Sequence, residues 1–183
     1  MSLLALQGMQ VRDAEARGYF NETENRVQTI SIIHEKLYSS EDLSSLELSE
    51  YVNDLVKEIV LSFGVSSHDV SVSVDVSERE MDIDTLIPCG LIINELVSNA
   101  FKYAFPTGSD GSLHVGISSI ADGFTELVVR DNGPGLPVDI DITKTRSLGL
   151  RLVISLVDQL KGELVINRRG GTEFRIKFKE RRP

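Results

Sequence analysis

The sequence predicts a two-layer α/β sandwich, with helices covering one face of a mixed, mostly antiparallel sheet and an α-helical hairpin ahead of it. Three observations carry that prediction. From residue 48 onward the periodicity runs helix, strand, helix, two strands, helix, two strands. The later strands come in pairs joined by short turns, which favours antiparallel neighbours. The strands alternate apolar and polar residues, so one face of the sheet needs a helical cover while the other meets water.

The chain has 183 residues, of which 41% are hydrophobic and 26% charged. That suits one ordinary globular domain with a small appendage, able to fold without disulfides or a structural metal. A single cysteine, Cys89, excludes a disulfide framework and a Cys-based zinc cluster. Nineteen Lys and Arg against 28 Asp and Glu give a net charge of -9. No basic excess is left to neutralise phosphates, so neither nucleic-acid binding nor membrane contact is expected. The most apolar window, Leu86 to Ala104, carries Asn94, Glu95, Asn99 and Lys102 and does not read as a membrane span. Without a signal-peptide pattern, the expected compartment is the cytoplasm.

Leu3, Leu4, Leu6, Met9 and Val11 sit on a short helical segment, and Asp13 is a candidate N-cap for a second one. The second carries Val27, Ile30, Ile33, His34 and Leu37 at three-and-four spacing, a narrow seam of the helical-hairpin kind. Two helices with one seam cannot bury both faces alone, so a homodimer forming a four-helix bundle is expected. Ser39 to Asp42 reads as a linker, dividing the chain into a hairpin over 1–44 and a second domain over 45–183. Val52, Leu55, Val56, Ile59 and Val60 define an amphipathic helix closed near Gly64. Val70, Val72, Val74 and Val76 alternate as a strand, and Met81 to Asp84 gives a short second one. A long helix runs from about Thr85 to Ala104, with Pro88 near its start. Strands follow at Leu113 to Ile117 and Glu126 to Arg130, then a Gly, Pro and Asp-rich loop over 132–146. A helix from Leu148 to Leu160 ends at Gly162. Leu164 to Ile166 and Phe174 to Phe178 close the sheet, with Gly170-Gly171 at their turn.

Four short patterns carry chemistry. On the long helix Glu95, Asn99 and Lys102 lie at i, i+4 and i+7, one polar stripe beside the core-facing Leu96, Val97, Ala100 and Ala104. Taken alone such a stripe is the ordinary solvated face of an amphipathic helix. Its chemistry also suits a nucleotide and metal site. Asn99 can offer a carbonyl oxygen to Mg2+, Glu95 can accept a proton or position a nucleophile, and Lys102 can meet phosphate oxygens. Asp131-Asn132-Gly133-Pro134-Gly135-Leu136-Pro137 directly follows a strand. Its residues are those of a plain turn, yet the glycines also allow a ligand close to the backbone, and a strand-end aspartate can accept from an amine such as that of adenine. Ser147-Leu148-Gly149-Leu150-Arg151 opens a helix whose amides can face an anion. Gly170-Gly171-Thr172 is a hairpin turn that can also place a hydroxyl near the site.

In this order and spacing, the four segments resemble the N, G1, G2 and terminal glycine boxes of the ATP-binding domain shared by sensor histidine kinases, type II topoisomerases, Hsp90 and mismatch-repair ATPases, the GHKL superfamily with its Bergerat ATP-binding fold. Ile33-His34-Glu35-Lys36-Leu37-Tyr38, the run from Ile87 to Ala100 and Ser147-Leu148-Gly149-Leu150 resemble one subgroup of the sensor histidine kinases. The resemblance implies ATP and Mg2+ as cofactors. It places Asn99 on the metal, Glu95 on the attacking imidazole, and Lys102 and Tyr103 on the phosphate and nucleotide side. Asp131 would bind the adenine amine, with Gly133, Gly135 and Leu136 shaping the pocket. Gly149 and Leu150 would belong to a mobile lid, and Thr172 would lie near the adenine. The implied partners are a response regulator receiver domain and a second copy of the chain.

Leu3-Leu4-Ala5-Leu6-Gln7 matches a stretch that lies downstream of the acceptor histidine in this subgroup, so the acceptor is expected to be missing from this sequence. His34-Glu35 resembles the His-Glu pair of other histidine-kinase acceptor boxes, but His34 shares the hairpin seam and reads first as structural, with an acceptor role as the alternative, and His68 and His114 read as incidental. Phe101-Lys102-Tyr103 stands where many relatives have a Lys-His pair, which leaves the role of Tyr103 open. The competing readings are a hydrolysing ATPase of the same fold, a Ser/Thr anti-sigma-like kinase, which would lack the hairpin, and a non-enzymatic dimerisation module.

Overall fold

The computed structural model describes residues 13–39, 45–63, 70–77, 80–105, 110–137, 142, 145 and 147–180. Helix α1 (Ala14–Ser39) starts at the expected cap, where Asp13 Oδ1 accepts from the Ala16 amide at 2.7 Å. The apolar segment from Leu3 to Val11, the linker beyond Ser39 (which itself ends α1), Gly64 and His68 lie outside the described residues, as does the side chain of His34.

Strand β1 (Ser45–Glu47) leads into α2 (Leu48–Ser62), whose first turn is capped by the Glu47 carboxylate, accepting from the amides of Ser49 and Glu50. Strands β2 (Val70–Val76) and β3 (Glu80–Asp82) follow. The short second strand expected at Met81 therefore forms, but it pairs antiparallel with β1 rather than joining the main sheet. Asp82 then caps α3 (Ile83–Tyr103), taking the Thr85 amide on Oδ1 at 3.0 Å. Strands β4 (Gly111–Ile120) and β5 (Phe124–Asp131), helix α4 (Leu148–Gln159), and strands β6 (Glu163–Asn167) and β7 (Glu173–Lys179) complete the chain.

The main sheet has the order β2-β4-β5-β7-β6. Only β2 and β4 run parallel, so the sheet is mixed and mostly antiparallel, as the sequence predicts. Leu113, Val115, Ile117, Leu127, Val129, Phe174, Ile176 and Phe178 are buried on one face, beneath helices α2, α3 and α4. The opposite face carries charge, with Arg175 bridging Glu126 at 2.6 Å and Glu173 at 3.1 Å. Opposite charges on neighbouring strands add modestly to the stability of a wet sheet face.

Two residues of the expected hairpin seam, Val27 and Ile30, can be placed, and neither is covered within the single chain. Val27 and Ile30 are 50% and 44% exposed, whereas Thr29 and Ile32 are buried. One helix can satisfy only one core at a time. The face carrying Arg26, Thr29 and Ile32 packs against helices of the α/β sandwich, and the Val27 and Ile30 face is left exposed.

Tyr51 of α2 is wholly buried, and its hydroxyl has no hydrogen-bond partner among the described residues. Burial, with Cys89 adding to it, pushes this hydroxyl far above the ordinary tyrosine value of 10.0. Above about pH 10 the unfolded chain releases this proton while the folded chain keeps it, so stability falls as pH rises. The slope is at most about 1.4 kcal/mol per pH unit. Tyr51→Phe is expected to be as stable as the native chain or more so at pH 7, and to show a shallower alkaline decline by that one proton. Urea midpoints between pH 9 and 11.5 check this, and parallel declines would contradict it.

Candidate functional site

The polar stripe on α3 is not a uniform solvated face. Glu95 is 6% exposed, Asn99 is half-buried and Lys102 is exposed. Leu96, Val97, Ala100 and Ala104 are buried as the periodicity requires. Asn94 and Ser98 of the same helix are buried as well. A carboxylate is held inside a fold only with partners, because desolvating an unpaired charge is costly. Glu95 has them. Arg26 of α1 donates from Nε to Oε1 at 2.7 Å and from Nη2 to Oε2 at 3.0 Å, and Asn94 Nδ2 approaches Oε1 at 3.4 Å.

The second half of the site is a corner at the end of β5. Asp131 is 8% exposed, and its Oδ1 accepts from the backbone amides of Gly133 at 2.9 Å and Thr172 at 3.1 Å. The Asp131 amide returns a bond to the Thr172 carbonyl at 2.9 Å, which ties β5 to the turn before β7. Among the described residues both amides fall on Oδ1, which leaves Oδ2 able to accept from a ligand amine. Asn132 braces the corner from the other side. Its Oδ1 accepts from the Ser112 amide at 2.7 Å and its Nδ2 donates to the Asp110 carbonyl at 3.2 Å.

The glycines are required by close approach. A Cβ on Gly133 would stand 2.5 Å from Ala104 Cβ, pressing the loop against the end of α3. Gly135 has a φ of +82° and lies over the carbonyls of Gly171 and Arg168. Gly171, with a φ of +121°, is so close that a Cβ would meet the Asp131 carbonyl oxygen at 1.9 Å. Gly149, near the start of α4, faces Glu95, where a Cβ would come within 2.4 Å of Oε2.

The structure thus gathers Asp131, Gly133, Gly135 and Thr172 at one corner, and sets Glu95 and Gly149 against each other. Leu136 and Leu150 are half-buried beside these segments. Tyr103, at the end of α3, is 73% exposed and packs into neither group. Among the described residues no group of three or more His, Cys, Asp or Glu could hold a metal ion. The amide oxygen of Asn99 fits a cation that completes its shell with phosphate oxygens and waters, as Mg2+ prefers. His114 lies on β4 and pairs with Ser73 Oγ at 3.1 Å, away from the site.

Sequence reasoning missed Arg26, Asn132 and the contact that makes Gly171 indispensable. Arg26 is 69 positions from its partner and sits in no motif. Asn132 was visible only as a turn residue.

A two-layer sandwich with a buried aspartate at a strand end and glycines cradling it defines the class. The chain belongs to the histidine kinase-, DNA gyrase B-, and HSP90-like ATPase family, whose model matches residues 84–182. Residues 1–63 match a further model, described as histidine kinase. The chain is 31% identical over 165 residues to the sensor histidine kinase PdtaS of Mycobacterium tuberculosis, a match covering 89% of this chain and 32% of that protein. It is 31% identical over 103 residues to blue-light-activated histidine kinase 2 of Erythrobacter litoralis, covering 56% of this chain and 30% of the other. It therefore spans about a third of the length of these relatives. The solved histidine kinase domain of a blue-light activated kinase from Erythrobacter litoralis shares the fold, with a TM-score of 0.79 at 22% identity over 98% of this chain and 86% of that one. Among the described residues no helix is long and apolar enough to cross a membrane.

Proposed function

We propose that this chain is the ATP-binding part of a sensor histidine kinase acting in the cytoplasm, and that it binds ATP with Mg2+ at the corner formed by Asp131, Gly133, Gly135, Leu136 and Thr172. The observation that carries this reading is the Asp131 carboxylate. It is buried, held in place by two backbone amides through one oxygen, and able to accept an adenine amine on the other. Asn99 is the metal ligand, Lys102 and Tyr103 serve the phosphate side, and Gly149 and Leu150 belong to the lid. In the transfer, an imidazole nitrogen attacks the γ-phosphorus as the bond to the bridging oxygen breaks and ADP leaves with the electron pair. Glu95 takes the proton that the imidazole gives up. The phosphoryl group then passes to an aspartate of a response regulator receiver domain. The hairpin over 1–44 mediates homodimerisation, for which the exposed Val27 and Ile30 supply an apolar face. The match of residues 1–63 to a histidine kinase model favours this reading over an anti-sigma-like kinase.

Titration with a fluorescent ATP analogue and Mg2+ tests it, comparing the native chain with Asp131→Asn. Losing the charged acceptor should weaken binding by about 1–3 kcal/mol, which is roughly five- to a hundred-fold. A native chain that binds no nucleotide would refute the reading and bring the non-enzymatic module forward.

A further inference from the structure

Glu95 is where three pieces of the chain meet. Helix α1 brings Arg26, whose fork covers both carboxylate oxygens at 2.7 and 3.0 Å. Helix α3 brings Asn94 beside Oε1. Helix α4 brings Gly149, which approaches Oε2 so closely that no larger residue fits without displacing it. The pair is well sealed, with side-chain exposures of 16% for Arg26 and 7% for Glu95. A two-pronged guanidinium–carboxylate contact is short, directional and hard to open once desolvated.

We propose that Arg26 is a latch: it holds Glu95 in a resting state, and phosphoryl transfer requires the pair to part. This rests on the kinase reading above. A carboxylate that is to take a proton from a nucleophile must present an oxygen to it. Here the fork covers one edge, and Gly149 closes against Oε2. Opening requires α1 to shift away from α3, or α4 to move aside at Gly149. Glu95 thus links α1 to α4, so that a movement of either helix bears on the same carboxylate. Once freed, it takes the proton of the attacking group as the new bond to phosphorus forms and ADP departs. With water as the attacking group, the products are ADP and inorganic phosphate.

The test is phosphate release from Mg-ATP by the whole chain, comparing the native protein with Arg26→Lys and Arg26→Met. Lysine keeps the charge but cannot form the fork, so it guards against loss of the fold. A latch predicts that kcat rises several-fold in Arg26→Lys and further in Arg26→Met, with the KM for ATP unchanged. Hydrogen exchange of the amides near residues 24–32 should speed up in parallel. A kcat that is unchanged or lower in Arg26→Lys overturns the latch, and a lower kcat at constant KM would make Arg26 an orienting residue instead. If the native chain fails to bind the fluorescent analogue, the kinase reading itself falls and the latch with it.

Discussion

Gly90→Ala is expected to destabilise the fold by about 3 kcal/mol or more, at the upper end of what overpacking costs. Gly90 lies inside α3, where alanine would ordinarily be favoured by about 1 kcal/mol. Packing reverses that preference. A Cβ at Gly90 would stand 1.8 Å from the Tyr51 hydroxyl oxygen and 2.9 Å from the ring carbon that bears it. Tyr51 is wholly buried between α2 and α3, so its ring has nowhere to retreat. The contact also explains why the hydroxyl stays unpartnered: it is pressed onto a helix backbone whose own bonds are already made. Removing the oxygen should relieve the worst of the clash, although the ring carbon remains close. Gly90→Ala with Tyr51→Phe is therefore expected to recover part of the loss, with a coupling of about 1 kcal/mol or more in the double-mutant cycle. Urea unfolding of the four proteins measures it. Additive effects would show that the two residues are not in contact.

Gly171→Ala is expected to abolish nucleotide binding and to lower stability by several kcal/mol, of the order seen when backbone strain and a clash combine. Its φ of +121° is one that only glycine adopts with ease, and the added Cβ would run into the Asp131–Asn132 peptide link, against the Asp131 carbonyl oxygen and carbon and the Asn132 Cα. None of these can give way without parting β5 from the turn that supplies the Thr172 amide. The neighbouring glycine is the control. Gly170 also has a positive φ, +69°, but a Cβ there would meet nothing within 4 Å. Gly170→Ala should cost only the conformational penalty of about 1–2 kcal/mol and leave nucleotide binding intact. Thermal melting together with the ATP-analogue titration distinguishes the two. Equal behaviour of both variants would disprove the close approach at Gly171.

The contrast between these two glycines shows where the sequence could be read and where it could not. Adjacent identical letters in a turn differ because of what lies across the fold from each. Local periodicity was enough for β2, β4, β5 and β7, whose apolar residues alternate, and for α3, whose apolar face repeats over its whole length. Asp131 and the glycines after it were legible because a turn and a ligand corner demand the same residue types. The pairing of β1 with β3 was not legible, because three-residue strands carry too little pattern to choose a partner. The exposure of Val27 and Ile30 was hidden for a different reason. An apolar seam says that one helix face wants cover, but not that the neighbouring Thr29 and Ile32 face is buried within the chain as well. Arg26 and Glu95 were each visible, but no spacing rule connects residues so distant in the chain. Once the fold supplies their proximity, the buried state of Glu95 follows from charge pairing alone.

The parallel placement of β2 beside β4 has a consequence for how the chain comes to be folded at all. Strands β4 and β5 are joined by a single short turn, and β6 and β7 by another, so these pairs can close early at little entropic cost. Strand β2 has no such neighbour. Its partner begins only at Gly111, after β3 and the whole of α3. Pairings of such long sequence separation form slowly. On the ribosome, β2 and the apolar face of α2 emerge before the strands that will cover them. The interval between synthesis of Val76 and of Ile120 is therefore when this chain is most exposed to wrong partners, and the negative charge it carries is some protection during that wait.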